Sequence, residues 1–292
     1  MTGASELTHA QFRKLAEVIH ADSGIVINDT KKSLLVARIN RRLRMLELDD
    51  YGAYCQRLDG PEGTVERREL LSAITTNVTA FYREAHHFDA LAADILPGLI
   101  AQSRSGQRVR LWSAACSSGE EPYSLAFTLL EALQGAASHD ILILATDIDP
   151  RMVRRAEEGV YGEDNVRPLG QARLQRFLIP RGKDFAVRDE VKALVRFGEL
   201  NLHAEWPFSG RFDVIMCRNV AIYFDAEARR RLWLRFAVLL PEGGTLFIGH
   251  SERIDGPAAN LFDLVGTTQY RRNATPAMTW VACPYRVVRF QS

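Results

Sequence analysis

Cysteine is scarce and scattered: Cys55, Cys116, Cys217 and Cys283 are the four in 292 residues, and no two form a CxxC pair. A disulfide framework or a zinc site is therefore not expected, and a reducing cytoplasm is the natural home. Charge of one sign is lacking too. The formal net charge is +1, so no global field draws the chain to nucleic acid or to an anionic membrane. No apolar run approaches the roughly 20 residues of a membrane span. The opening MTGASELTHAQF lacks the charged start and apolar core of a signal peptide. Both phosphate-binding signatures are missing, GxGxxG and GxxxxGK followed by Ser or Thr, which weakens dinucleotide and nucleoside-triphosphate readings. There is no internal repeat or low-complexity segment, and the 47% hydrophobic content is that of an ordinary globular protein.

The sequence has two patterns in succession. Residues 1–75 read as helices only. In LTHAQFRKLAEVIHADSG, Phe12, Leu15, Ala16 and Ile19 recur at helical spacing, with Thr8 placed to cap the start and Gly24 to stop the end. DTKKSLLVARINRRLRMLEL is a second helix with Leu35, Ile39, Leu43 and Leu46 as its buried stripe. Lys31, Arg38, Arg41, Arg42 and Arg44 fall on the remaining arc. DDYGAYCQRL and VERRELLSAIT add two shorter helices across the turn DGPEG.

From about residue 105, strands alternate with helices. RVRLWSAA, DILILATDID, FDVIMCRNV and GGTLFIGHSE are apolar runs of strand length. EEPYSLAFTLLEAL, DPRMVRRAEEG and DAEARRRLWLRFAVLL are helical. The alternation predicts βαβ units and a parallel sheet buried on both faces. A longer interval holds FAVRDEV and ALVRFGEL, read as strands of a small β insert at about residues 170–200. FDLVGTTQYRR near the end suits a closing antiparallel hairpin, with a further tail beyond it.

Ligands of open α/β sheets sit beyond the carboxyl ends of the strands. There the sequence places Ser117, Ser118, Gly119, Glu120 and Glu121, then Asp147 and Asp149, then Arg218, Asn219, Tyr223 and Asp225. Two glutamates at the mouth of a helix would repel a pyrophosphate. A ligand with ribose hydroxyls and cationic centres is not repelled, and a carboxylate at the second strand can accept from both hydroxyls. S-adenosylmethionine has the diol, an ammonium and a sulfonium, and no phosphate. Either glutamate could instead serve the helix N-terminus. Asp149 precedes Pro150 and reads as a cap, which leaves Asp147 as the ligand candidate. Cys116 reads as a small buried hydrophobe. His86, His87 and His250 read as packing or capping residues.

The stretches TTNVTAFYREAHHF, WSAACSSGEEPYSLA, ATDID, FDVIMCRNVAIYFD and GGTLFIGHSE, in that order, resemble the chemotaxis receptor methyltransferase family, CheR. The similarity runs from about residue 8 to about 272. It implies an α/β fold: a Rossmann-like S-adenosylmethionine-dependent methyltransferase domain (76–292) with a small inserted β subdomain, preceded by an all-helical receptor-docking domain (1–75). It implies methyl transfer from S-adenosylmethionine to glutamate side chains on chemoreceptor helices, leaving S-adenosylhomocysteine. Carried over by motif, the cofactor site is Asn77, Thr79, Arg83, Glu121, Asp147, Asn201, Leu202, Arg218 and Asn219. Tyr223 matches the tyrosine that the family sets beside the transferred methyl.

A glutamate acceptor is already ionised at neutral pH, so no strong base is needed. Displacement at the methyl quenches opposite charges, so the site must exclude water and align the oxygen with the C–S bond. Arg83 and Tyr223 are placed to hold the carboxylate, and Arg83 alternatively binds the cofactor's own carboxylate. No metal is called for. The resemblance points to Arg38, Arg41, Arg42 and Arg44 as the face that docks an acidic receptor coiled coil. The resemblance implies that members whose insert binds a receptor's C-terminal peptide have a longer, glycine-rich loop there; IPRGKDFAV is short and carries only Gly182, so that binding is not expected. The enzyme is expected to act as a monomer. The competing classes are a catalytically silent adaptor, against which the intact motifs argue, and a nucleic-acid methyltransferase, which would bring an Asn/Asp-Pro-Pro-aromatic motif that is missing.

Overall fold

The computed structural model describes residues 6–274. The C-terminal tail from residue 275 on, and Cys283 within it, lie outside the described residues. The chain divides into two compact units: the residues up to Thr76 together with Tyr223–Ala228, and the remainder.

The first unit is helical. His9–Ser23 begins in a reciprocal capping box, in which Thr8 accepts from the Gln11 backbone and the Gln11 side chain accepts from Thr8. It ends at Gly24 in the left-handed conformation (φ 72°), as the sequence pattern requires. Lys32–Leu46, Tyr51–Asp59 and Gly63–Ile74 follow. Phe12, Leu15, Ile19, Leu35, Ile39, Leu43, Tyr54 and Leu70 fill the interior. Leu46, at the end of its helix, is only half-buried.

Arg42 departs from the expected docking face. It is 6% exposed and its guanidinium grips Glu66 with two hydrogen bonds of 3.0 and 2.7 Å, and Glu69 at 3.2 Å. Tyr54 donates to the same Glu66 at 2.7 Å. Arg42 sits one position before Leu43, on the flank of the apolar stripe, and an acidic partner on the neighbouring helix draws it inward. Arg41 and Arg44 are exposed, and Arg38 is partly so.

The second unit is built on a seven-stranded sheet. Across it run Val195–Glu199, Ile141–Asp147, Val109–Ala114, Val214–Cys217, Thr245–Ile248, Gln269–Arg272 and Phe262–Gly266. The first five are parallel, and the last two form the closing antiparallel hairpin. Chain order runs outward in both directions from Val109–Ala114, so the switch point lies between that strand and Val214–Cys217. Val214–Cys217 and Thr245–Ile248 are buried throughout, as strands covered on both faces must be.

The small antiparallel sheet comprises Val160–Gly162, Asp184–Val187 and Leu178–Arg181. It thus starts earlier and ends earlier than the expected 170–200. ALVRFGEL is not part of it: Val195–Glu199 lies parallel to Ile141–Asp147 at the edge of the main sheet. An edge strand has one neighbour and keeps polar residues in solvent, so its pattern is that of a strand in a small exposed sheet.

Candidate active site

The turn after Val109–Ala114 carries the first half of the site. Ala115 and Ser117 have positive φ, 66° and 50°, and Gly119 has φ 97°. A Cβ on Gly119 would lie 2.8 Å from both Ala156 Cβ and the Tyr161 hydroxyl, so this position demands glycine for space as well as conformation. The Cys116 N–H donates to the Thr146 carbonyl at 2.9 Å, and the Ser117 N–H to Asp147 Oδ2 at 2.7 Å. The Ser117 hydroxyl donates to the Asn77 carbonyl at 3.1 Å, and Asn77 Nδ2 to Asp149 Oδ2 at 3.3 Å. Asp149 donates its N–H to Asp147 Oδ1 at 2.9 Å and caps Pro150–Glu158 by accepting from Arg151 N. The Leu200 N–H reaches the Asp147 carbonyl at 2.9 Å. The ends of three strands and the Asn77 segment are thereby tied together around Asp147.

Asp147 is 5% exposed. Burial pushes its carboxyl up to about 6, against the pull of the Asp149 and Ser117 amides. Glu120 and Glu121 separate in role. Glu120 is buried, accepts from the Ser118 hydroxyl at 2.7 Å and is raised by burial. Glu121 accepts from the Ser113 hydroxyl at 2.7 Å and from Arg218 Nη1 at 3.1 Å. Burial raises its carboxyl too, while Arg218 works the other way. The thiols of Cys116 and Cys217 are buried and lifted well above the ordinary range by that burial, so neither is a nucleophile.

Arg218 is the centre of the second half. Besides Glu121, it donates through Nε to Glu84 at 3.3 Å and through Nη2 to the Arg83 carbonyl. Asn219 Nδ2 lies 3.4 Å from Glu84 Oε1, and His250 Nδ1 lies 3.0 Å from that same oxygen. Burial alone would raise Glu84, but His250 and Arg218 outweigh it and hold the carboxyl at about 2. One guanidinium between two carboxylates leaves this cluster a net negative charge. Tyr82, Glu84 and Asn219 also have positive φ, 53°, 54° and 60°. Backbone strain of this kind persists where surrounding contacts over-determine it.

Glu252 supplies part of that determination. Its buried carboxylate accepts from the N–H groups of Gly249 (2.6 Å), Asn219 (3.1 Å), Val220 (3.0 Å) and Ile222 (3.2 Å). A Cβ on Gly249 would lie 2.5 Å from Asn219 Nδ2, so the two loops close on each other only with glycine there. Sequence reasoning named neither Glu84 nor Glu252. Both stand inside motifs that carried the family resemblance, FYRE and GHSE, and Glu252 is in addition an acid shortly after a strand end. That was the available signal.

Of the other predicted residues, Arg83 donates through Nη1 to the Val78 carbonyl at 2.7 Å, and Thr79 is half-buried on the same segment. Asn201 Oδ1 accepts from the His203 N–H at 2.9 Å. The Leu202 carbonyl accepts from Arg235 Nη1 at 2.8 Å, and the Arg235 guanidinium lies 3.5 Å from the Trp206 ring centroid. Tyr223 groups with the helical unit: its carbonyl accepts from Val26 N at 2.8 Å, and Lys31 Nζ lies 5.0 Å from its ring centroid. His87 is buried and packs, with burial lowering it to about 4. His250 does not pack, since its side chain is 66% exposed.

The donor set around the turn is made of carboxylates, amides and hydroxyls. Its carboxylates suit a nucleoside with a diol and cationic centres and would repel a pyrophosphate. Among the described residues no group of three or more His, Cys, Asp or Glu could hold a metal ion, and no helix is long and apolar enough to cross a membrane.

Comparison with known proteins agrees with this chemistry. Residues 77–271 match the family model described as CheR methyltransferase, SAM binding domain, and residues 10–75 match CheR methyltransferase, all-alpha domain. A probable chemotaxis protein methyltransferase of Rhizobium etli is 47% identical over 258 residues, 87% of this chain and 96% of that protein. The chemotaxis protein methyltransferase of Klebsiella aerogenes is 40% identical, covering 90% of each chain. That of Salmonella typhimurium is 40% identical, covering 92% of each. A strand-end site of acids, amides and hydroxyls, in a chain matched nearly end to end, identifies this protein as a member of the CheR family of S-adenosylmethionine-dependent methyltransferases.

Proposed function

We propose that the enzyme methylates glutamate side chains on the acidic helical domain of a chemoreceptor, forming glutamyl methyl esters. The observation that carries the chemistry is the arrangement around Asp147, Glu121 and Arg218, which joins the ends of the parallel strands in an environment without a phosphate-binding cation at the turn. S-adenosylmethionine, when bound, supplies the electrophilic methyl group, and its sulfur takes the electron pair of the broken C–S bond.

The residues of this chain bind and align. Asp147 accepts from the ribose hydroxyls. Glu121 and Asn77 hold the polar end of the cofactor, with Thr79, Asn201, Leu202 and Asn219 completing the contacts. Arg218 acts through Glu121 and Glu84, whose orientation it fixes. The acceptor carboxylate forms the new O–CH3 bond and loses no proton, because it arrives ionised. Arg83 orients it with one oxygen free to attack. Exposed Arg41 and Arg44, with partly exposed Arg38, attract the receptor helix. Arg42 has no part in this contact, being committed to Glu66.

Purified protein with methyl-labelled S-adenosylmethionine and receptor-bearing membranes tests the reading. Label should enter the receptor and leave as methanol in mild alkali, the behaviour of an ester. Label that is alkali-stable, or confined to another acceptor, would refute the glutamate assignment.

A further inference from the structure

His250 is an exposed titratable side chain of the cluster that the mechanism above does not use. Its imidazole is 66% exposed, yet it is not free to swing. Nδ1 lies 3.0 Å from Glu84 Oε1, and the His250 backbone N–H lies 3.3 Å from the same oxygen. Glu84 is itself fixed by Arg218 and by Asn219, and the turn that carries His250 is fixed by Glu252 through the Gly249 N–H. With Glu84 ionised, Nδ1 carries the proton. Nε2 has no hydrogen-bond partner among the described residues, so it is the nitrogen left for something from outside.

The charge balance says what that would be. Glu84 and Glu121 share Arg218, so Arg83 is left to offset the remaining negative charge for an incoming carboxylate. Buried His87 is neutral, and Glu252 adds a further negative charge within the His250 turn. A carboxylate that must approach here needs a donor at the mouth, held stiffly enough to favour one orientation.

We propose that His250 contacts the substrate as an imidazolium set between two carboxylates: anchored through Nδ1–H to Glu84, it donates from Nε2–H to one oxygen of the acceptor carboxylate and leaves the other to attack. This rests on the acceptor being a glutamate, as proposed above. The His250–Glu84 pair therefore serves acceptor binding, whereas Glu121 and Asp147 serve the cofactor.

The test compares wild type with His250→Ala and His250→Gln. It measures cofactor affinity by calorimetry, melting temperature, and kcat and KM for receptor-bearing membranes. Both variants should stay folded at the assay temperature, melting somewhat below wild type because Glu84 loses a partner, and bind S-adenosylmethionine within about twofold of wild type. His250→Ala should lose at least about tenfold in kcat/KM for receptor, and added imidazole should restore part of the loss. His250→Gln, which keeps a neutral donor, should lose less. Wild-type receptor kinetics in His250→Ala would overturn the proposal, as would a loss confined to cofactor affinity. Failure of the wild-type enzyme to form alkali-labile esters on receptor would be a different result, since it removes the glutamate assignment and this contact with it.

Discussion

Asp147 concentrates the residue-scale chemistry of the proposed cofactor site. Its two oxygens each accept one backbone N–H, and burial lifts it to about 6. A carboxylate has lone pairs left for two hydroxyl donors, whereas the protonated acid has fewer acceptor sites. Cofactor binding therefore favours the ionised form and releases a proton from the acid form. Affinity for S-adenosylmethionine should rise as pH rises through about 6 and then level off, while Asp147→Asn should bind weakly with a flat profile. Loss of this charged acceptor should cost about 1.5–3 kcal/mol. Calorimetry across pH 5 to 8 checks both. Equal affinity in the folded variant would remove Asp147 from the ribose.

The helix Lys32–Leu46 shows at the scale of an element how one charge run divides between structure and surface. Removing Arg42 strands the Glu66 carboxylate in the interior, with Tyr54 still pointing at it. Truncating one partner of a buried pair typically costs about 3–5 kcal/mol. Arg42→Ala should therefore lower the melting temperature markedly, and a charge reversal should do worse. Reversal of Arg38, Arg41 and Arg44 together should leave melting nearly unchanged and raise KM for receptor, with cofactor affinity untouched. If that triple variant methylates receptor as wild type does, the exposed arc is only solvated surface. The small sheet offers a second case. Its hairpin turns at Gly182 (φ 62°) and Lys183, between Leu178–Arg181 and Asp184–Val187. So tight a turn supplies no extended loop to shape a peptide groove beside the edge strand. Titration with a receptor C-terminal peptide should show no micromolar binding at residues 178–187.

Two charge effects belong to the whole molecule. Glu84 is held at about 2, below its ordinary 4.5, so its stabilisation is complete above 4.5 and drains away as pH falls from there toward 2. Acid unfolding should carry this signature, and Glu84→Gln should show a shallower fall of melting temperature over the same window. Salt should reveal the other effect. With a net charge of +1, the molecule as a whole exerts little pull on an acidic receptor, so attraction depends on local exposed arginines. Activity on receptor should fall as salt rises to a few hundred millimolar, where the Debye length shrinks below about 8 Å. Cofactor affinity should change much less, because the charged partner proposed for it, Asp147, is buried.

The amino-acid sequence alone determined what depends on near neighbours in the chain. The capping box at Thr8 spans three positions, and the left-handed stop at Gly24 is a matter of one residue. The apolar runs of Ile141–Asp147 and Val214–Cys217 declared a buried parallel sheet, and their polar ends declared where a ligand would sit. Motif order supplied the family and the site candidates. Tertiary structure decided everything that turns on a partner far along the chain. Arg42 finds Glu66 24 positions away, Arg218 finds Glu84 134 away, and His250 finds Glu84 166 away. Val195–Glu199 joins the main sheet because Ile141–Asp147 offers an open edge, which nothing within its own five residues can announce. Periodicity reports which face of an element is apolar. It cannot report which charge will be waiting opposite, and in this protein those distant charges settle whether an arginine stays in solvent, supports a neighbour or is buried.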